Sequence, residues 1–134
     1  MLLHISSDGV PIYQQIMDQI QFRIMSGQLH VGDELPTIRG LAESLCVNPN
    51  TVARAYRELE NDGLVEKRRT TGTFVAEIPK TRSVAHRRRL LAPQVEKLVV
   101  QSRQLGFTLD EVVEQLKKRD AQLARPDQLQ EKRS

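Results

Sequence analysis

Two predicted helices separated by only two residues constrain the fold of this chain most. The spacing of apolar residues predicts one helix over 38–45 and the next over 48–61, so that only Cys46 and Val47 connect them. Two helices joined by so short a turn are typical of the helix-turn-helix unit. We therefore expect this pair to form the centre of the folded domain.

The second of these helices has clear ends and two different faces. Asn48 is a favourable N-cap, Pro49 suits the first helical position, and Gly63 can adopt the left-handed conformation that ends a helix. The apolar stripe that should turn inward is Val52, Ala55, Tyr56 and Leu59. The opposite side carries Asn50, Thr51, Arg54 and Arg57. Asparagine and arginine match adenine and guanine edges in the major groove, which favours a recognition helix. An ordinary amphipathic helix with a solvated face is the alternative, and the neighbouring elements decide between the two.

The elements around this pair predict a winged helix. Upstream, Pro11 opens a helix whose isoleucines recur every fourth residue up to Ile24. Thr37 is placed to cap the helix over 38–45, and Arg39 should point outward from it. Downstream, two β-rich runs surround a polar turn and predict a hairpin. The residues at its tip that suit phosphates or a minor groove are Arg68, Arg69, Thr71 and Gly72. The predicted fold is mainly α with a small β wing, and this winged helix-turn-helix domain occupies residues 1–76.

The rest of the chain predicts a two-helix tail. Residues 77–90 show no clear stripe before Leu90, so we expect a connector in which the Arg87–Arg89 run is a solvated charge cluster. Helical periodicity then returns over residues 91–125, with a capping box at Thr108 and Glu111. Two helices alone make a poor core, so the tail should bury its apolar face against a second copy of the chain. The residues predicted for this dimerisation surface are Leu91, Val95, Leu98, Val99, Leu105, Val112, Val113 and Leu116. We expect the polar tail over 126–134 to be disordered.

Charge and composition exclude several classes of function. Residues 1–75 contain seven Lys and Arg against nine Asp and Glu, a net charge of −2, so DNA binding must rest on where the cations lie. No stretch is apolar and long enough for a membrane span. Cys46 has no partner within the chain for a disulfide, and we expect it to be a small buried residue at the tight turn. The histidines lack the spacing of metal ligands, and no nucleophile has a base and an orienting partner. We expect a cytoplasmic, non-enzymatic protein without cofactor or metal.

Five segments occur in an order and spacing that are far more specific together than any one alone: P-I-Y-Q-Q-I (11–16), G-Q-L-H-V-G-D-E-L-P-T-I-R (27–39), L-A-E-S-L-C-V-N-P-N-T-V-A-R-A-Y (41–56), L-E-N-D-G (59–63) and G-T-F-V (72–75). They resemble the winged-helix domain of GntR-family transcription regulators. The short two-helix tail resembles the YtrA-type subfamily, whose members lack a large effector domain. The resemblance covers roughly residues 10 to 124.

The resemblance implies a homodimer that binds double-stranded DNA at an inverted-repeat operator, most simply as a repressor. It implies DNA contacts from Thr37, Arg39, Asn48, Asn50, Thr51 and the wing around Gly72. Many family members have arginine at the position of Pro49, and Arg54 is our candidate to replace that missing fork. A small-molecule effector, where one binds, is expected between protomers or at the connector. The alternative function is a winged-helix adaptor that binds another protein, consistent with the slightly acidic domain.

Overall fold

Helices provide most of the fold. The structure is a computed structural model that describes residues 1–68 and 72–123. Its elements are α1 (Ile12–Met25), α2 (Ile38–Leu45), α3 (Pro49–Asn61), β1 (Val65–Arg68), β2 (Gly72–Val75), α4 (Lys80–Gln104) and α5 (Leu109–Gln122). The chain divides into a first unit, Met1–Leu90, and a second that begins at Leu91. The predicted class, mainly α with a small antiparallel wing, is confirmed.

The core of the first unit forms where α1, α2 and α3 pack around the stripe of α3. Val52, Ala55, Tyr56 and Leu59 are all buried, as the spacing predicted. They meet isoleucines of α1, residues of α2 and the inward side chains of the wing, namely Ile16, Ile20, Leu41, Ala42, Leu64, Val65 and Val75. Each fully buried aliphatic side chain of this kind contributes about 1.5–3 kcal/mol. Since the stripe is turned inward, the opposite side of α3 is left for solvent or a ligand.

Side-chain caps set the starts of the two central helices. The Thr37 hydroxyl accepts a hydrogen bond from the Gly40 amide at 3.0 Å, and the Asn48 side chain accepts one from the Asn50 amide at 2.8 Å. Pro49 occupies the first turn of α3. Each cap satisfies a backbone donor that the helix itself cannot, and such a cap contributes about 1 kcal/mol. Both predicted N-caps are therefore confirmed.

The turn between α2 and α3 corrects one expectation. We expected Cys46 to be a small buried residue, and it is exposed. Its backbone is left-handed, with φ of 56°, while Leu45 and Val47 on either side pack against the core. The sharp reversal of the chain therefore directs the Cys46 side chain outward.

The wing is bound to the rest of the first unit along one edge. β1 and β2 pair antiparallel with Val65 opposite Val75. The segment before α2 then runs beside β2, where the Leu35 amide donates to the Thr73 carbonyl at 2.8 Å and the Val75 amide donates to the Asp33 carbonyl at 2.8 Å. These bonds cover the free edge of β2, which would otherwise present unpaired backbone groups. Residues 69–71 of the turn lie outside the described residues.

The beginning of α4 also differs from the sequence prediction. The helix begins at Lys80, although we expected residues 77–90 to form a connector without a helical stripe, and Pro93 lies inside α4. Polar contacts with the ends of α1 and α3 hold this part of α4, so no apolar stripe marks it. An Arg82 amine donates to the Asp62 carbonyl at 3.2 Å, and the Ser83 hydroxyl donates to the Met25 sulfur at 3.6 Å.

The second unit leaves most of its apolar side chains exposed in the single chain. The capping box of α5 is present, since the Thr108 hydroxyl accepts from the Glu111 amide at 3.2 Å and the Glu111 carboxylate accepts from the Thr108 amide at 3.1 Å. No residue of α5 is buried. Among the described residues, no helix is long and apolar enough to cross a membrane. The predicted disordered tail over 126–134 lies outside the described residues.

His86 holds the first part of α4 against α1 through a buried polar cluster. Its Nδ1 lies 2.9 Å from the Gln21 amide nitrogen and 2.8 Å from an Arg89 amine nitrogen. Because the guanidinium can only donate, Nδ1 must accept, and the imidazole is neutral. Burial lowers the pKa of His86, the positive charges of Arg89 and Arg82 lower it further, and Asp62 opposes them.

This cluster predicts a pH-dependent stability. A folded-state pKa below the unfolded value means that the unfolded chain takes up the proton first, so stability is present above about pH 6.5 and is lost as the pH falls. The free energy of unfolding, measured by urea denaturation between pH 7.5 and 5.5, should decline less steeply in His86→Gln than in the wild type. His4→Gln, which changes an exposed histidine, should keep the wild-type slope. Identical slopes in all three proteins would contradict the assignment.

Candidate nucleic-acid interface

The start of α3 presents short polar groups held in place by their own backbone. Asn48 and Asn50 are exposed and Thr51 is half-buried. Because the side-chain oxygen of Asn48 accepts the cap hydrogen bond, the side-chain NH₂ of Asn48 remains the group that can donate outward. The N-terminus of a helix also favours negative charge, which suits a phosphate oxygen at this end.

Three arginines extend this polar surface. Arg39 on α2 and Arg54 and Arg57 on α3 are all exposed. The alternative role for Arg39 and Arg54 is a surface ion pair, with Glu43 or Glu58 as the candidate partner. Within residues 1–68 and 72–123, the ion pairs are His30 with Asp33 and Arg68 with Glu66, so none of these arginines is neutralised by a carboxylate there. Their donors are therefore available to an anion or to base edges.

A hydrogen bond between Tyr56 and Pro36 connects the two arginine-bearing helices. The buried Tyr56 hydroxyl donates to the Pro36 carbonyl at 2.8 Å, next to the capping residue Thr37. Burial raises the pKa of Tyr56 well above its ordinary value, so the hydroxyl stays a donor at every physiological pH. The first turn of α2, with Thr37 and Arg39, is thereby held beside the middle of α3.

The second strand of the wing, β2, begins close to the segment that precedes α2. Gly72 has a left-handed φ of 119°, and a Cβ built there would lie 2.8 Å from the Glu34 carboxylate. Arg68, predicted to contact phosphates, donates to Glu66 at 3.2 Å and lies over the Phe74 ring at 4.4 Å. Arg69 and Thr71, also predicted at the wing tip, lie outside the described residues.

Sequence reasoning missed two members of this surface. The Arg54 guanidinium carbon lies 3.8 Å from the centre of the Tyr13 ring, and Glu34 lies against the wing at Gly72. Neither contact has a local signal, because the partners are far apart in the chain and each side chain alone fits an ordinary surface or core position.

Comparison with known proteins assigns the family. The family described as bacterial regulatory proteins of the gntR family matches residues 12–75, from the start of α1 to the end of β2. The HTH-type transcriptional repressor YtrA of Bacillus subtilis is 36% identical over 109 residues, which cover 81% of this chain and 84% of that protein. The chain belongs to the GntR family of bacterial transcriptional regulators. Its DNA-binding domain is the winged helix formed by α1, α2, α3 and the wing.

The similarity extends beyond the winged helix of this GntR-family protein. YhcF of Bacillus subtilis, an HTH-type transcriptional regulator, is 44% identical over 108 residues, which cover 80% of this chain and 88% of that protein. A GntR-family regulator of Listeria monocytogenes has a similar structure, with 33% identity and a TM-score of 0.70 over 84% of this chain and 98% of that one. The short YtrA-like organisation predicted from the sequence is confirmed.

The backbone at Gly72 gives a test of the wing. Ala at position 72 should lower the free energy of unfolding by about 1–3 kcal/mol, because L side chains resist this conformation. Removing the Glu34 carboxylate in that background should recover little, since the end of a flexible side chain can move aside. Gly9→Ala is the matched control for backbone strain alone, because Gly9 has a φ of 93° and a Cβ there would meet no other atom within 4 Å. It should lower the free energy of unfolding by a similar amount. Wild-type stability of Gly72→Ala in urea denaturation would show that β2 does not begin in the left-handed conformation.

Proposed function

We propose that this GntR-family protein is a homodimeric repressor that binds an inverted-repeat operator, with α3 in the major groove and the wing at the minor groove or backbone. The observation that carries the proposal is the outward surface of α2 and α3. Thr37, Asn48, Asn50 and Thr51 bring short polar groups to the helix starts, and the exposed Arg39, Arg54 and Arg57 have no carboxylate partner among the described residues.

This surface has the chemistry that a major groove requires. The groove admits an α-helix, where asparagine can bond to adenine and arginine to guanine. Glu58, Glu60 and Asp62 are confined to the last turn of α3 and beyond, so the negative charges are kept from the leading end. A domain of slight negative charge can then bind DNA through the placement of a few cations.

The wing is proposed to contact the backbone beside the groove. Arg68 is half-exposed in its pair with Glu66, so a phosphate can compete for its donors. Arg69, Thr71 and Gly72 complete the proposed wing contacts.

Dimerisation is proposed for the second unit. Its apolar side chains Leu91, Val95, Leu98, Leu105 and Leu116 are 38–74% exposed, and Val99, Val112 and Val113 are half-buried. So many exposed apolar side chains at helical spacing are unusual in a monomer. A second copy of the chain would present the same apolar residues to the first. The two-fold symmetry of such a dimer would match the two halves of an inverted repeat.

Repression would follow from occupancy of a promoter, consistent with the name of the related YtrA as a repressor. A small-molecule effector, where one binds, is proposed to act between protomers. The cleft at the start of α4, lined by residues such as Met25, Ile78 and Ser83, holds about 170 Å³. That volume is below the range of about 300–1,000 Å³ typical of ligand pockets, so this cleft beside the predicted connector is a poor effector site.

Selection from a random duplex library, followed by titration at several salt concentrations, separates a DNA-binding regulator from a protein-binding adaptor. A regulator should enrich a symmetric sequence and lose orders of magnitude in affinity between about 50 and 200 mM salt, because it releases counterions from DNA. An adaptor would enrich no sequence.

Arg39 offers a direct test of the reading surface. Arg39→Ala should lose about 1–3 kcal/mol of binding to the selected duplex, since it removes a fork of donors from the start of α2. Lys97→Ala removes the same charge from the second unit and should bind like the wild type. Fluorescence anisotropy measures both, and full affinity in Arg39→Ala would remove this residue from the interface.

Leu98 tests the dimer. Leu98→Glu places a charge on the apolar surface and should shift the protein from dimer to monomer in sedimentation equilibrium, with far-UV circular dichroism unchanged. Gln104→Glu adds the same charge on the opposite side of α4, at an exposed position, and should leave the dimer intact. A monomeric wild type at micromolar concentration would refute the proposed assembly.

A further inference from the structure

The contact between Tyr13 and Arg54 joins α1 to the outward surface of α3. The Arg54 guanidinium carbon lies 3.8 Å from the centre of the Tyr13 ring. Tyr13 is half-buried and packs against the core, whereas Arg54 is exposed. A fixed ring therefore supports a charged group at the surface.

The stacked geometry leaves the useful part of the arginine free. A cation is attracted to the face of an aromatic ring. At 3.8 Å from the ring centre the guanidinium of Arg54 lies with its own face on the ring, because an edge-on guanidinium would bring its N–H groups into the ring. The five N–H donors of arginine lie in the guanidinium plane and point away from its edges. An ion pair with a carboxylate would occupy those donors, and Arg54 forms none within residues 1–68 and 72–123.

We propose that Tyr13 is a positioning residue that presets Arg54 to recognise one base pair of the operator. The inference rests on the proposed function and extends the specificity determinants to α1, a helix that itself need not touch DNA. A long side chain free in solution loses rotamer freedom when it binds, and a side chain already held by a ring loses less. Guanine, with two acceptors on its major-groove edge, is the base that fits the free edge of this guanidinium.

The test is a double-mutant cycle on the duplex selected by the wild type from a random library. Tyr13→Leu keeps an apolar side chain but removes the ring, and it should lower affinity about three- to tenfold. In an Arg54→Ala background the same change should have no effect, because Tyr13 acts through Arg54. Tyr13→Phe keeps the ring and should bind within about twofold of the wild type.

Specificity distinguishes positioning from a general structural role. In a panel of duplexes with single base-pair changes, Tyr13→Leu should lose discrimination at the same base pair as Arg54→Ala and at no other. Binding to random duplex should be unchanged. A ring-current upfield shift of the Arg54 side-chain protons, in free wild type and in Tyr13→Phe, tests the stack without any variant that lacks the ring.

Several results would overturn the proposal. These are wild-type affinity in Tyr13→Leu, a loss that persists without Arg54, an equal loss in Tyr13→Phe, or Arg54 protons without an upfield shift. Failure of the wild type to enrich any sequence would overturn the proposed function as well. Specific binding that is insensitive to Tyr13 would overturn the positioning role alone.

Discussion

The hydrogen bond from the Tyr56 hydroxyl to the Pro36 carbonyl is the contact on which the candidate DNA-binding surface of α2 and α3 depends. The Tyr56 side chain is buried, so its hydroxyl could not exchange this partner for water without local opening, and the bond joins α3 to the residue before Thr37, the N-cap of α2. The adjoining residues of this segment each perform a separate structural task. Glu34 lies against the wing, Leu35 is in the core and Thr37 caps α2. A single stretch of extended chain therefore sets the relative positions of α2, α3 and the wing.

The same packing explains why a slightly acidic domain can still serve as a DNA-binding domain. The stripe of α3 buries its apolar residues, which leaves polar and cationic side chains on the opposite side. The caps at Thr37 and Asn48 fix the helix starts and with them the backbone positions of Arg39 and Arg54. The arginines lie on the outward side of α2 and α3, so the net charge of the domain has little bearing on where DNA could bind.

Features with local physical causes could be predicted from the sequence, and features that depend on distant contacts could not. The caps of α2 and α3, the buried stripe and the capping box of α5 all arise from residues within one or two turns. The early start of α4 depends on polar contacts of Arg82, Ser83 and His86 with residues far away in the chain, which leave no apolar period. The stacking of Arg54 on Tyr13 has the same character. For the candidate site, the exposure of the arginines was predictable, whereas their support by α1 and by the segment before α2 was not.

The outward surface of α3 is proposed to enter a duplex groove twice, once from each protomer of a dimer. Hydroxyl-radical footprinting on the duplex selected by the protein tests this most directly, because it reports the position of each bound winged helix on both strands. We expect two equivalent protected patches related by a two-fold axis, with centres about one helical turn apart or a multiple of it. A single asymmetric patch, or uniform cleavage at concentrations that saturate binding, would contradict the claim.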